Sequence, residues 1–190
     1  MYVDRVLFPV TALGPGKRIA VWLAGCHRHC PGCANPELWN PKPTQKISVE
    51  KLSKLIRQTA IEWQADGLTI TGGEPFEQSK DLMCLLNGLR DLQLNTLVFS
   101  GYKLEELRKT ETARDVLELI DVLIDGKYIR EQNDGKSVLR GSVNQRINVL
   151  NPKCQADYEE YLLVGRQLQN FVYGDMILSV GIHSEDVDKE

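Results

Sequence analysis

A chain of 190 residues, 42% hydrophobic and 26% charged, is long enough for one domain with a sizeable core. Its formal charge of −3, from 23 basic and 26 acidic residues, gives no support to bulk nucleic-acid binding, which asks for a basic face. No apolar run approaches the roughly 20 residues that span a bilayer, and the first residues lack the basic-then-apolar order of a signal peptide. Five cysteines, three of them bunched, do not read as a disulfide framework, so a reducing, cytoplasmic setting without membrane attachment is expected.

In chain order, Ile19–Ala24 (IAVWLA) reads as a first, buried strand ending at Gly25. The preceding Gly14-Pro15-Gly16-Lys17-Arg18 lacks phosphate-loop spacing and leads into a strand rather than a helix; its glycines are expected to shape backbone near a partner or cofactor. A loop follows, carrying CHRHCPGC and then Asn40-Pro41-Lys42-Pro43, whose prolines exclude a helix interior. Ser48 is placed to cap a helix from Val49 to about Ala65, with Leu52, Leu55, Ile56 and Ala60 on one face. Leu68–Thr71 is a second strand running into Gly72-Gly73-Glu74-Pro75, and Ser79 to Asp91 a second helix. Asn95–Ser100 is a third strand, Lys103 to Leu119 is largely helical, and Val122–Ile124 lies in a fourth strand ending at Asp125-Gly126-Lys127. Glu131–Lys136 then reads as a polar loop, Gln145–Leu150 as a strand, and Leu168–Ile182 as a hairpin turning at Gly174-Asp175. The tail SEDVDKE is expected to fray.

Strands alternating with helices predict βαβ units and a parallel sheet. In such sheets ligands bind beyond the carboxyl ends of the strands. The turns at 25–33, 72–75, 100–102 and 125–127 all fall at those ends and should collect on one rim.

The cysteines decide the chemistry. Cys26, Cys30 and Cys33 can bind zinc with His27 or His29 as fourth ligand, but three ligands crowded on one loop without a second knuckle make poor zinc-finger geometry. An iron–sulfur cluster fits better, since thiolates at short intervals let one loop wrap it. Three thiolates on a four-iron cubane leave one iron without a cysteine, as in catalytic metal sites that keep a position open. The bland reading, free cysteine as a small buried hydrophobe, suits Cys84 and Cys154. His27 and His29 read as exposed loop residues.

The CxxxCxxC spacing after the first strand, with GGEP after the second, resembles the radical S-adenosylmethionine superfamily. GCHRHCPGCANPELW, FSGYKLEEL, DVLIDGKYI and LRGSVNQRI are similar, in order, to motifs of the activating proteins of anaerobic ribonucleotide reductase. Many superfamily members carry an aromatic residue before the third cysteine; Gly32 stands there, as it does in this branch. The resemblance implies an open, incomplete (β/α) barrel over residues 1–150, with a C-terminal β-hairpin in an extension, 151–190, packed on the same domain.

It also implies the chemistry. Cys26, Cys30 and Cys33 hold a 4Fe-4S cluster whose open iron binds S-adenosyl-L-methionine. Gly72, Gly73, Glu74 and Pro75 receive the methionine amino group, Ser100 reaches the ribose and Tyr102 lines the cavity. Asp125 and Lys127, two apart and thus on one strand face, take the ribose or a neighbouring group and the methionine carboxylate respectively; the plain alternative for that pair is a solvated ion pair. Arg140, Ser142, Asn144 and Gln145 face a protein partner. No catalytic side chain is implied beyond the cluster and S-adenosylmethionine. The implied partners are a glycyl radical enzyme, anaerobic ribonucleoside-triphosphate reductase foremost, and a reducing donor such as flavodoxin or ferredoxin. An activase of another glycyl radical enzyme, a small-molecule enzyme such as a 7-deazaguanine synthase, and a non-catalytic structural-metal module are the alternatives.

Overall fold

The computed structural model describes residues 1–183. Six strands form one sheet in sequence order: β1 (Val3–Val10), β2 (Arg18–Leu23), β3 (Gly67–Gly72), β4 (Asn95–Phe99), β5 (Val122–Asp125) and β6 (Arg146–Val149). β2 to β5 run parallel, while β1 and β6 close the two edges antiparallel. Every residue of β2 is buried, which is why its sequence after Arg18 is a continuous apolar run rather than an alternation.

The helices are α1 (Val49–Trp63), α2 (Ser79–Leu89), α3 (Leu104–Leu107) and α4 (Glu111–Leu117). Strand alternation divides the core between two faces. Ile19, Val21 and Leu23 join Leu52 and Ile56 of α1, Leu82 and Leu85 of α2 and Val116 of α4 in one cluster. Ala20 and Trp22 point the other way and pack with Leu38 and Val180. A sheet whose order never reverses, with its crossover helices on one face, is wound in a single direction, as barrels are.

The opposite face is covered by the C-terminal segment. α5 (Gln155–Leu163) contributes Tyr158 and Tyr161, and the hairpin of β7 (Leu168–Tyr173) and β8 (Met176–Gly181) contributes Val180. The hairpin turns at Gly174-Asp175, as expected. The tail SEDVDKE lies outside the described residues.

Several elements depart from the sequence reading. β1 carries Asp4, Arg5 and Pro9, a pattern tolerated because it is an edge strand. α5 buries only Tyr158 and Tyr161, so its periodicity is faint. The stretch 103–119 is two short helices, because Thr110 takes an extended conformation between them. Ser48 does cap α1, its hydroxyl accepting from the Lys51 N–H, but Leu55 is 45% exposed rather than core.

The GPGKR segment lies at the far end of β2 from the strands' carboxyl ends, so its glycines do not approach the expected site. Arg18 is fully buried there, and it donates to Thr69 Oγ1 (2.6 Å), Leu68 O (2.9 Å), Asn95 O (2.7 Å), Asn95 Oδ1 (3.0 Å) and Pro15 O (3.0 Å). Burial lowers its pKa, and these neutral acceptors satisfy the fork while tying β2, β3 and β4 together.

Candidate metal centre

The parallel strands deliver their carboxyl ends to one edge, and backbone bonds lace the turns there. The Gly73 N–H donates to Leu23 O (2.7 Å), Glu74 N–H to Gly25 O (2.8 Å), Ser100 N–H to Ile124 O (2.8 Å) and Gly126 N–H to Tyr102 O (3.1 Å). Glycine is required at 72 and 73. A Cβ on Gly72, where φ is +101°, would lie 2.4 Å from Leu23 O, and one on Gly73 would lie 2.3 Å from Gly25 O. The Gly-Gly-Glu turn therefore lies directly beneath the start of the cysteine loop.

Cys26, Cys30 and Cys33 are each half-buried, free thiols on that loop. The loop is pinned at several points. Cys26 N–H donates to Trp39 O (3.0 Å) and Cys33 N–H to Cys30 O (3.1 Å). Glu77 accepts from the His27 N–H (2.9 Å) and contacts His27 Nδ1 (2.7 Å). The Arg28 guanidinium covers the Tyr102 ring, 4.3 Å from its centroid, and the His29 ring lies 4.7 Å from that of Trp39. Gly32, with φ at +72°, lies against Arg130, whose Cδ would be 3.1 Å from an added Cβ. The residues between Cys26 and Cys30 thus fasten the loop to its surroundings, a role spacing alone does not reveal.

The donor set suits a cluster. Among the described residues no three His, Cys, Asp or Glu side chains converge to hold one metal ion. A cubane makes no such demand, because it distributes its three thiolates over three irons. Burial raises the thiol pKa of Cys26, with Glu74 and Glu77 adding to it, and burial raises that of Cys30, with Lys127 and Arg28 drawing it back. Metal coordination reverses such a rise by taking the thiolate. Beside the loop, Arg28 Nε and Trp39 Nε1 are buried without an acceptor among the described residues, donors of the kind that cluster sulfides or a bound ligand satisfy.

Glu74 is buried at 1% exposure. Its Oε1 accepts from Ser100 Oγ (2.8 Å) and Phe76 N (3.1 Å), and its Oε2 from Gly101 N (2.7 Å). Burial pushes its pKa up to about 7 against the pull of those donors. Ser100 is thereby committed to Glu74 and Tyr102 N (3.0 Å), rather than open toward a ribose.

The 125–127 turn differs from expectation. β5 ends at Asp125 and Gly126 reverses the chain at φ +105°, so Asp125 and Lys127 do not share a strand face. The Asp125 side chain is fully buried and bonds Arg146 and the Leu104 N–H (2.6 Å). Burial raises its pKa, but the Arg146 guanidinium and that N–H bring the balance below the usual carboxylate range. Its expected ribose contact gives way to this internal ion pair. Lys127 is exposed and near enough to Cys30 to act on its thiol.

The Arg140–Gln145 segment spends its polar groups on the chain itself. Ser142 is fully buried and accepts from Ile129 N (3.1 Å), Asn144 Nδ2 donates to Lys127 O (2.8 Å), and Gln145 Nε2 donates to Gly126 O (2.8 Å). Arg140 donates to Gln145 O (3.3 Å). These residues brace the 126–129 turn in place of the expected partner-facing array. Away from the rim, Cys84 is exposed on α2 rather than buried, while Cys154 is half-buried and receives Asn95 Nδ2 (2.9 Å).

The family profile described as a 4Fe-4S single cluster domain matches residues 12–148. The anaerobic ribonucleoside-triphosphate reductase-activating protein of Escherichia coli (strain K12) is 32% identical over 151 residues, covering 75% of this chain and 96% of that protein. The protein of the same description from Enterobacteria phage T4 is 33% identical over 153 residues, covering 77% and 93%. That from Haemophilus influenzae (strain ATCC 51907 / DSM 11121 / KW20 / Rd) is 35% identical over 143 residues, covering 71% and 89%.

Proposed function

The chain belongs to the 4Fe-4S single cluster domain family, and from that membership we propose that it is a radical S-adenosylmethionine activase of an anaerobic ribonucleoside-triphosphate reductase. The observation that carries this reading is the meeting of the Cys26–Cys33 loop and the Gly72-Gly73-Glu74 turn at one rim, with three thiols and no fourth cysteine on the loop. The singly wound sheet is read as the incomplete barrel of that superfamily.

Cys26, Cys30 and Cys33 hold the cluster. When bound there, it would supply the single electron for reductive cleavage of S-adenosylmethionine, the chemistry that hydrogen abstraction from a glycine Cα requires. The chain's residues position these reactants. The Gly72-Gly73 backbone admits a ligand closely, and an ammonium beside Glu74 favours its carboxylate form, offsetting the burial that raises its pKa. The Tyr102 face, now covered by the Arg28 guanidinium, offers a seat for positive charge. Lys127 is an exposed cation available for a carboxylate. An open rim suits an extended protein segment as substrate, and flavodoxin or ferredoxin is the class of electron donor.

An activase of another glycyl radical enzyme would use the same residues; the relatives' descriptions favour the reductase. The test is electron paramagnetic resonance of the reconstituted chain mixed with S-adenosylmethionine, a reductant and an anaerobic ribonucleoside-triphosphate reductase. The expected result is a radical doublet in the reductase that narrows when its glycines are α-deuterated. Formation of 5′-deoxyadenosine with no protein radical would assign a different substrate.

A further inference from the structure

A cleft of about 1000 Å³ lies away from the cysteine loop. It opens where the crossover from β4 to β5 breaks into α3 and α4, against the end of α2 and the stretch after β6. Its floor is apolar: Leu86, Leu89, Leu104 and Leu117 reach it, each under a tenth exposed, with Leu150 beside them. Its walls carry Arg90, Arg108, Arg114 and Lys153, all exposed. Among the described residues no hydrogen bond or ion pair engages these four side chains. Two anions share the lining. Asp121 is spent on Thr96 N (2.7 Å) and Asn151 Nδ2 (2.6 Å), which leaves Glu118 to offset the cations.

We propose that this cleft binds a nucleoside triphosphate. Small-molecule sites run from roughly 300 to 1,000 Å³ and pair an apolar lining with a few placed polar groups. Three guanidiniums and an ammonium call for a compact polyanion, and guanidinium forks match phosphate oxygens. The leucine floor calls for an uncharged body on the same molecule. A triphosphate bearing a nucleoside meets both demands. No aromatic side chain lines the cleft, so the triphosphate and nucleoside are specified but not the base.

The cleft is coupled to the rim. Thr96 and Asp121, at the start of β4 and β5, line it, and those strands end beside Ser100 and at Asp125. Leu104, whose side chain reaches the floor, donates its backbone N–H to Asp125 (2.6 Å). A bound nucleotide thus acts on α3 and through it on the rim. This regulatory role rests on the reductase-activase reading, because the partner there consumes ribonucleoside triphosphates.

The test titrates the full chain with N-methylanthraniloyl-ATP, with ATP, inorganic tripolyphosphate and S-adenosylmethionine as competitors. The expected result is saturable one-to-one binding that weakens with salt, is displaced by ATP, and falls at least tenfold in an Arg108→Gln/Arg114→Gln double variant of unchanged unfolding midpoint. Absence of saturation, or equal binding by the double variant, would overturn the proposal. Competition by S-adenosylmethionine would move the ligand to the rim. Tripolyphosphate competing as well as ATP would reduce the cleft to an anion patch, and either result also overturns it. Cleavage of S-adenosylmethionine, measured on the same preparation, keeps the two readings separable: lost nucleotide binding with intact cleavage removes this inference alone.

Discussion

At the residue scale the rim is organised around Glu74, whose carboxylate links the Gly-Gly turn to Ser100 and Gly101. Its pKa stands at about 7 in the fold against an ordinary 4.5, because burial penalises the charged form. A carboxyl group with a raised folded pKa contributes stability that is fully present below its unfolded pKa and is lost as pH rises through the folded value. Stability of the metal-free chain to urea should therefore fall between about pH 4.5 and pH 7, by on the order of 3 kcal/mol relative to a Glu74→Gln variant. Parallel pH profiles for the two proteins would show that Glu74 does not titrate in that window. Cys26, Cys30 and Cys33 stand out in the sequence because their types and spacing carry the chemistry locally. Asp125 does not: its partner Arg146 is distant in the chain and meets it only when β6 pairs with β5. The same holds for Glu77 and His27, which a strand and a helix separate.

At the scale of elements, the legible parts are those with strong periodicity or punctuation. β2 to β5, α1 and α2 announce themselves as apolar runs or amphipathic faces bounded by glycine, proline or a capping serine. β1 and α5 do not, since an edge strand tolerates charges and proline and a helix burying two tyrosines has almost no stripe. The turn following β3 is the most exacting element. Gly73→Ala brings a Cβ to 2.3 Å from Gly25 O and forces the turn away from the cysteine loop. It should cost about 1–3 kcal/mol, as overpacking does, and lower the iron retained after reconstitution. Gly88→Ala in α2 is the control: its Cβ would meet only Ser53 Oγ of α1 at 3.4 Å, so it should be neutral or stabilise by up to about 1 kcal/mol. Thermal unfolding and iron assay of the pair check this, and a Gly73→Ala protein with wild-type iron content would contradict the close-approach argument.

At the scale of the whole molecule, one winding direction places every site turn on one edge and the crossover helices on one face. The rim was legible from turn placement alone, because a parallel sheet leaves the carboxyl ends of its strands nowhere else to go. The covering of the other face by α5 and the hairpin was not, since it depends on long-range packing of Tyr158, Tyr161 and Val180. The central claim is that three thiols on this rim hold a cluster that cleaves S-adenosylmethionine. Its most direct test is anaerobic reconstitution with iron and sulfide, followed by reduction with dithionite in the presence of S-adenosylmethionine. About four irons per chain and release of 5′-deoxyadenosine, both abolished by Cys30→Ala in a protein of unchanged fold, are the predicted result. A single bound zinc with no 5′-deoxyadenosine, or full cleavage by Cys30→Ala, would contradict it.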